Sequence, residues 1–337
     1  MIGVSVIIPT FRRQKTLRDL LGSIERQLSE VAFEVIVVAN LPEVGLKKKV
    51  ESYGPHFRFH ETGRLGVNIA RNKGLDLAKG RIVLFLDDDT YLTDREFIQK
   101  HYLAHEKHPG AIAIGGPYSP KAAMTTVETA YHWILEHHLN SVRLERDEAR
   151  LLAAGNASFK RERLEARHRF DDRVVTGASE ESFFASLRRE QNIFLLLGSL
   201  VVEHRCSVGA LELMRKAFDQ GYGQTLTSLD SSYVLDRPHW NSVRTICETL
   251  RAGHVDQSVR FRVAMRAYDL LFNYGVQLAT RDAVPMVATT AIKAVPRTRS
   301  EFSIWKIALA FISRNRLSPL KEWARSQTLA LRSAFQD

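Results

Sequence analysis

Cysteine is scarce: Cys206 and Cys247 are the only two in 337 residues. Two thiols cannot build a disulfide framework or a cysteine zinc centre, and they read as reduced side chains of a cytoplasmic protein. Stretches rich in proline, glycine and serine are missing, as is any internal repeat, which argues against a disordered chain and against a solenoid. Long hydrophobic runs are missing too. The most apolar late stretch, Phe302 to Ile312, is broken by Lys306 and reaches about half of the ~20 residues that a membrane-spanning helix requires. Met1-Ile2-Gly3-Val4 leads straight into a strand pattern, with no basic segment and apolar core before it, so no secretory signal is expected. The turn after that first strand, Pro9-Thr10-Phe11-Arg12-Arg13, holds no glycine. The phosphate loop a nucleotidyltransferase wants there, and the Gly-x-Gly-x-x-Gly of a dinucleotide dehydrogenase, are both lacking.

What is present is an ordinary globular composition, 45% hydrophobic and 26% charged, long enough for one large core or two modest ones. The net charge of +10 is unevenly placed: residues 241 to 337 hold 15 Lys and Arg against 7 Asp and Glu, a surplus of 8. A basic C-terminal third suits an anionic membrane surface or a polyanionic partner; a solvated basic helical face is the alternative.

Val4 to Ile8 is a β-branched run ended by Pro9 and reads as a buried strand, with Thr10 to Arg13 as a polar turn. Leu17, Leu20, Leu21, Ile24 and Leu28 recur at helical spacing and predict a helix over that strand. Phe33 to Val38 and Phe57 to His60 predict two more strands. A helix follows over Val67 to Ala78, stopped by Gly80, and Arg81 to Leu86 is another buried strand. Strands alternating with helices predict an α/β fold, a parallel sheet with helices on both faces. Ligands of such sheets bind at the carboxyl ends of strands, and Asp87-Asp88-Asp89 stands at such an end.

Further on, Ala111 to Ile114 reads as a strand entering the turn Gly115-Gly116-Pro117, and Leu151 to Phe159 as strand and loop around Gly155-Asn156. Ser179 is placed to cap a helix that carries Glu180 and Glu181 in its first turn and runs to Arg189. Ile193 to Val202 is strand-like, broken at Gly198, and leads to Glu203-His204. Past Asn241 the pattern is helical, with candidates near 241–251, 256–280, 300–313 and 319–335. A boundary at Asp236-Arg237-Pro238 divides the chain into residues 1–235 and a helical, basic region 236–337.

Taken singly, each polar cluster has a chemical and a structural reading. The acidic run suits Mg²⁺ or Mn²⁺, which prefer oxygen ligands and bridge to phosphate, or it is a solvated acidic turn. Arg71 and Lys73 suit phosphates, Arg71 as a fork and Lys73 as a point charge, or they are exposed helix residues. Glu180 or Glu181 suits a general base for a hydroxyl, or both are carboxylates favoured by the helix dipole. His204 is a structural imidazole or a metal ligand.

In order and spacing, these segments resemble the second family of nucleotide-sugar glycosyltransferases, which have the GT-A fold. The matching stretches are Val4 to Phe11, Gly66 to Gly74, Ile82 to Asp89, Gly155 to Lys160, Glu180-Glu181 and Val201 to His204. The resemblance covers residues 3 to 225 and implies roles. Pro9, Thr10 and Phe11 would lie along the nucleotide, and Arg71 would approach its diphosphate or base. Asp87, Asp88 and Asp89 fall on the Asp-x-Asp motif, with Asp87 and Asp89 at the metal and Asp89 as the direct ligand. His204 falls near the metal and diphosphate, Asn156 in the loop between donor and acceptor, and Glu181, beside Glu180, on the catalytic base. The implied activity is inverting transfer from a UDP-sugar, with Mn²⁺ or Mg²⁺, to a glycan or lipid-linked hydroxyl in cell-surface glycan or polysaccharide synthesis. The two reduced cysteines point to the cytoplasm and the basic C-terminal region to contact with the inner face of a membrane, with no nucleic-acid partner. Two positions depart from the pattern. Ala39 stands where the family's second strand ends in the Asp that reads the base, which leaves Asn40 to substitute. Glu181 stands where an Asp is usual. These two departures are the motive for a competing reading, a catalytically silent glycan-binding or scaffold protein.

Overall fold

The computed structural model describes residues 2–164, 168–172, 180–188, 190, 192–229, 265, 267, 268, 271 and 272. Its first part alternates, as the sequence predicts for all but α2: β1 (Val4–Thr10), α1 (Gln14–Glu25), β2 (Phe33–Ala39), α2 (Leu46–Glu51), β3 (Phe57–Glu61), α3 (Val67–Leu77) and β4 (Ile82–Leu86). Then come β5 (Thr90–Tyr91), α4 (Phe97–Lys107), β6 (Ala111–Gly115), β7 (Tyr118–Pro120), α5 (Thr126–Ser141) and β8 (Asn156–Lys160). The series closes with α6 (Glu181–Arg188), β9 (Ile193–Leu196), β10 (Val202–His204) and α7 (Ala210–Leu229).

Seven strands form one sheet in the order β3-β2-β1-β4-β8-β6-β9. All neighbours are parallel except β8, which runs against both β4 and β6. The α/β class holds, and the sheet is mixed and mainly parallel as the GT-A resemblance implies, because β8 comes back between two strands that run the same way. Strand side chains alternate between faces. Val4, Val6 and Ile8 join Leu17, Leu20, Leu21 and Ile24 of α1 and Ile98 of α4 in one core layer. Ile7, Ile36 and Val38 point the other way, onto Ala70 of α3 and Phe183 and Phe184 of α6. Helices therefore cover both faces.

Two boundaries differ from the sequence reading. β1 runs through Pro9 to Thr10: its pairing with β4 stops at Ile7, so Pro9 lies past the point where the strand is bonded on both sides. α1 ends at Glu25, one turn early, and Leu28 is 55% exposed. Four helices had no sequence counterpart: α2, α4, α5 and α7. Ser179, the boundary near 235 and the helices placed at 241–251, 300–313 and 319–335 lie outside the described residues. So does most of 256–280, of which 265, 267, 268, 271 and 272 are helical and buried.

A second, small sheet has the order β5-β10-β7. It pairs His204 with Thr90 and with Pro120, and so brings a residue more than a hundred positions away beside the acidic run. Beyond it, α5 and α7 pack through Ala130, Ile134, Leu213 and Ala217 against Met265, Tyr268, Leu271 and Phe272.

Candidate active site

β1 and β4 are parallel neighbours, so the turns at their carboxyl ends arrive together. They are joined by Asn40 after β2, Gly66 and Arg71 at α3, Glu180 and Glu181 at α6, His204 of β10 and one face of α7, around a cavity of about 730 Å³. Of the residues expected at the site, Pro9, Thr10, Phe11, Asn40, Arg71, Asp87, Asp88, Asp89, Glu180, Glu181 and His204 all line it. Asn156 does not. It is fully buried, and its amide donates to Leu200 O at 2.8 Å; its neighbour Gly155 lines the wall instead. Lys73 is exposed and lies outside the cavity.

The three aspartates face three ways. A turn follows β4, closed by the Thr90 amide and hydroxyl on Asp87 O at 3.1 and 2.8 Å, and it separates their side chains. Asp87 takes a hydrogen bond from Arg71 Nη2 at 3.1 Å, and the Arg71 guanidinium lies 5.3 Å from the Phe170 ring centroid. Asp88 accepts from Thr10 Oγ1 at 2.8 Å, tying the two strand ends together. Asp89 is held by Arg13 Nη1 at 2.5 Å and by His204 Nε2 at 3.5 Å. Arg13 also reaches Asp88, at 3.3 Å.

Burial makes these charges interdependent. Burial pushes Asp88 up to about 7, with the neighbouring Asp89 adding to the rise. Burial works to raise Asp89 too, but the charges of His204 and Arg13 outweigh it and hold Asp89 well below the usual carboxylate range. Burial works to lower His204; the Asp89 carboxylate reverses this and pushes it up to about 10.

Asp89, His204 and Cys206 each present one ligand atom, all within 4.8 Å of one another. Carboxylate, imidazole and thiolate together are a donor set that fits a divalent transition metal. Asp87, expected beside Asp89, is not one of the three, since the turn directs it to Arg71. Cys206 takes its place in the cluster, although the sequence reads it only as a reduced thiol.

Glu181 opens α6 and is 2% exposed. Its position is set by the helix behind it: Phe183 stacks on Phe170 at 4.1 Å between centroids and meets Phe159 at 5.4 Å. His204 is flanked by Tyr118 and Tyr131, with ring centroids 5.0 and 6.1 Å away. Arg13, Tyr118, Tyr131 and the α7 residues Glu212, Arg215, Lys216, Asp219 and Gln220 also line the cavity, and sequence reasoning passed over them. The α7 set carried a signal: these positions recur three and four apart, as one helix face does.

A mainly parallel sheet covered on both faces, with an acidic run at the end of β4 and β8 antiparallel beside it, is the architecture of a GT-A glycosyltransferase. The family model of glycosyl transferase family 2 matches residues 5–167. An uncharacterised glycosyltransferase of Bacillus subtilis is 33% identical over 114 residues, 33% of this chain and 29% of the relative. The Staphylococcus aureus poly(ribitol-phosphate) β-N-acetylglucosaminyltransferase TarS is 30% identical over 119 residues, 34% of this chain and 21% of the relative. The match thus spans less than a third of either relative's length. Among solved structures, a mannosyltransferase of Pyrobaculum calidifontis superposes with a TM-score of 0.51 at 17% identity, over 96% of this chain and 84% of that one. That likeness is one of fold. Among the described residues no helix is long and apolar enough to cross a membrane.

Proposed function

We propose that this protein moves a sugar from a nucleoside diphosphate sugar to an acceptor hydroxyl in a single step that inverts the anomeric carbon. The observation that carries the reading is the meeting of a buried carboxylate, Glu181, with the acidic run and His204 in one cavity. Glu181 takes the proton of the acceptor hydroxyl as its oxygen attacks; one methylene more than an aspartate only sets the carboxylate further from its helix. Arg71 binds and orients the donor's phosphates. Pro9, Thr10 and Phe11 line the nucleoside.

Asn40 stands in for the missing Asp. Its Oδ1 is buried in the cavity wall without a hydrogen-bond partner, an acceptor suited to a nucleobase N–H such as uracil N3–H. A UDP-sugar is the donor this favours. Asp89 and His204 would hold Mn²⁺ or Mg²⁺, with Cys206 in reach and Asp87 on Arg71. When bound, the cation neutralises charge on the departing diphosphate. To ligate it His204 gives up its proton. The solved relative with GDP-Man and Mn²⁺ supports this combination of ligands. Residues 1–235 form the catalytic unit, and the basic region 236–337 holds it against an anionic membrane where a lipid-linked or growing glycan is presented.

The test is a thermal-shift panel of UDP, GDP and their sugars, each with and without Mn²⁺. A ligand that binds only the folded state raises the melting temperature as it exceeds its Kd. One nucleotide series should stabilise the protein, more so with Mn²⁺, and Asp89→Ala should remove the metal-dependent part. No shift with any nucleotide at millimolar concentration would sink the reading. Glu181→Gln should keep donor binding while slowing transfer by roughly 10²–10⁴-fold across an acceptor panel.

A further inference from the structure

Among the described residues, Arg13, Arg71, Arg215 and His204 of the cavity wall are each paired with a carboxylate. Arg71 is on Asp87, Arg13 on Asp88 and Asp89, and His204 on Asp89. On α7, Arg215 lies between Glu212, at 2.7 Å, and Asp219, at 3.6 Å. Lys216, one residue on, has no carboxylate within ion-pairing distance among the described residues. Its Nζ lies 5.0 Å from the centroid of the Tyr131 ring. Arg12, the other unpaired cation of the wall, is exposed at the rim, whereas Lys216 is half-buried in the cavity. Lys216 is hydrogen-bonded to the Tyr131 side chain, and a half-buried ammonium held by a phenol rather than a carboxylate keeps spare hydrogen-bond donors and gains from an anion.

Its place says which anion. The Tyr131 ring that Lys216 faces is the ring that flanks His204, at 6.1 Å between centroids. His204 is on Asp89. Lys216 therefore stands at the end of the cavity where the proposed function puts the departing phosphate. It comes from a helix that lies beyond the family match at 5–167.

We propose that Lys216 binds the terminal phosphate of the donor's diphosphate and stabilises it as it leaves, so that α7 supplies leaving-group charge beyond that of the metal. This rests on the proposed function above. In the step, the bond from the anomeric carbon to the terminal phosphate oxygen breaks with its electron pair staying on that oxygen. The acceptor oxygen bonds to the carbon, and its proton goes to Glu181. Lys216 keeps its protons and contributes charge and hydrogen bonds. An anionic acceptor offers the same phosphate chemistry, and the experiment separates the two sources by the number of phosphates on the nucleotide.

The experiment is calorimetric titration of the full chain with UDP, UMP, GDP and GMP, in EDTA and again with Mn²⁺. Wild type should prefer the diphosphate of one base over its monophosphate in both conditions. K216M should lose roughly tenfold or more in diphosphate affinity, as expected for a lost hydrogen bond to a charged group, and keep its monophosphate affinity. K216R should retain most of the preference. K216Q carries the same comparison if K216M does not fold. Wild-type diphosphate affinity in K216M or K216Q would overturn the assignment and leave the donor reading intact, pointing Lys216 at the acceptor. Equal loss of mono- and diphosphate would overturn it as a merely structural effect. Wild type binding none of the four would overturn the donor reading itself.

Discussion

Gly155 shows how closely the site is built at the level of single atoms. It follows no polar motif logic of its own, yet a Cβ at this position would run into the Asp87 carboxylate and the Tyr118 hydroxyl. The absence of a side chain lets Asp87 lie between the β8 turn and Arg71. Gly155→Ala is expected to push that carboxylate off Arg71 and lower kcat/KM for sugar transfer on the order of 10²-fold, the cost of displacing a positioning group by about 1 Å. Steady-state kinetics beside a melting curve check it: an unchanged rate would mean that Asp87 need not be held there. At this scale the sequence carried the identity of the charged groups and their place at a strand end. It did not carry their directions. Asp87 and Asp89 are two residues apart, yet one faces Arg71 and the other His204 and Cys206, because a turn, not a strand, sets their side chains.

At the scale of elements, α4 holds His101 and His105 one turn apart on the same buried face, both on the Ser158 hydroxyl of β8, at 2.8 and 2.9 Å. Ser158 Oγ donates its only hydrogen to Ile114 O at 3.0 Å, so both imidazoles donate to it. Burial, with the neighbouring His105, lowers His101 to about 3; burial, with Lys160, lowers His105 to about 3. A depressed folded value means that the unfolded chain takes up protons first as pH falls. The stabilisation from this pair is therefore fully present above about 6.5, the unfolded value, and is lost between there and about pH 3. Urea midpoints measured from pH 7 to 5 should fall, with a slope of up to about 1.4 kcal/mol per pH unit for each histidine. A flat profile, or one that His105→Gln leaves unchanged, would contradict this. α5 was equally legible and passed unread: Thr125 and Glu128 form a reciprocal capping box, which the sequence announces as Thr-x-x-Glu. By contrast, β8 looked like any strand in sequence. Its antiparallel direction depends on which neighbours it meets.

At the scale of the whole molecule, charge is the readable quantity. The surplus of 8 positive charges over residues 241 to 337 leads us to expect that the full chain co-sediments with anionic phospholipid vesicles at low salt. It should be released as salt approaches about 1 M, where the screening length falls to ~3 Å. Failure to sediment at low salt would leave that charge as a solvated helical face.

The sequence by itself determined the class of sheet, its first strands with the helices α1 and α3, and the point along the chain where acidic chemistry would sit. Each of these follows from local patterns: β-branched runs, 3.6-residue periodicity, and a polar run after a buried strand. Only the tertiary structure decided which of those polar groups share a cavity. The small sheet carries His204 and, just past its end, Cys206 to Asp89. The packing of α5 against α7 sets Lys216 over Tyr131. Those partners are separated by tens to more than a hundred residues, and their meeting depends on strand pairing and helix packing rather than on any pattern local enough to be read along the chain.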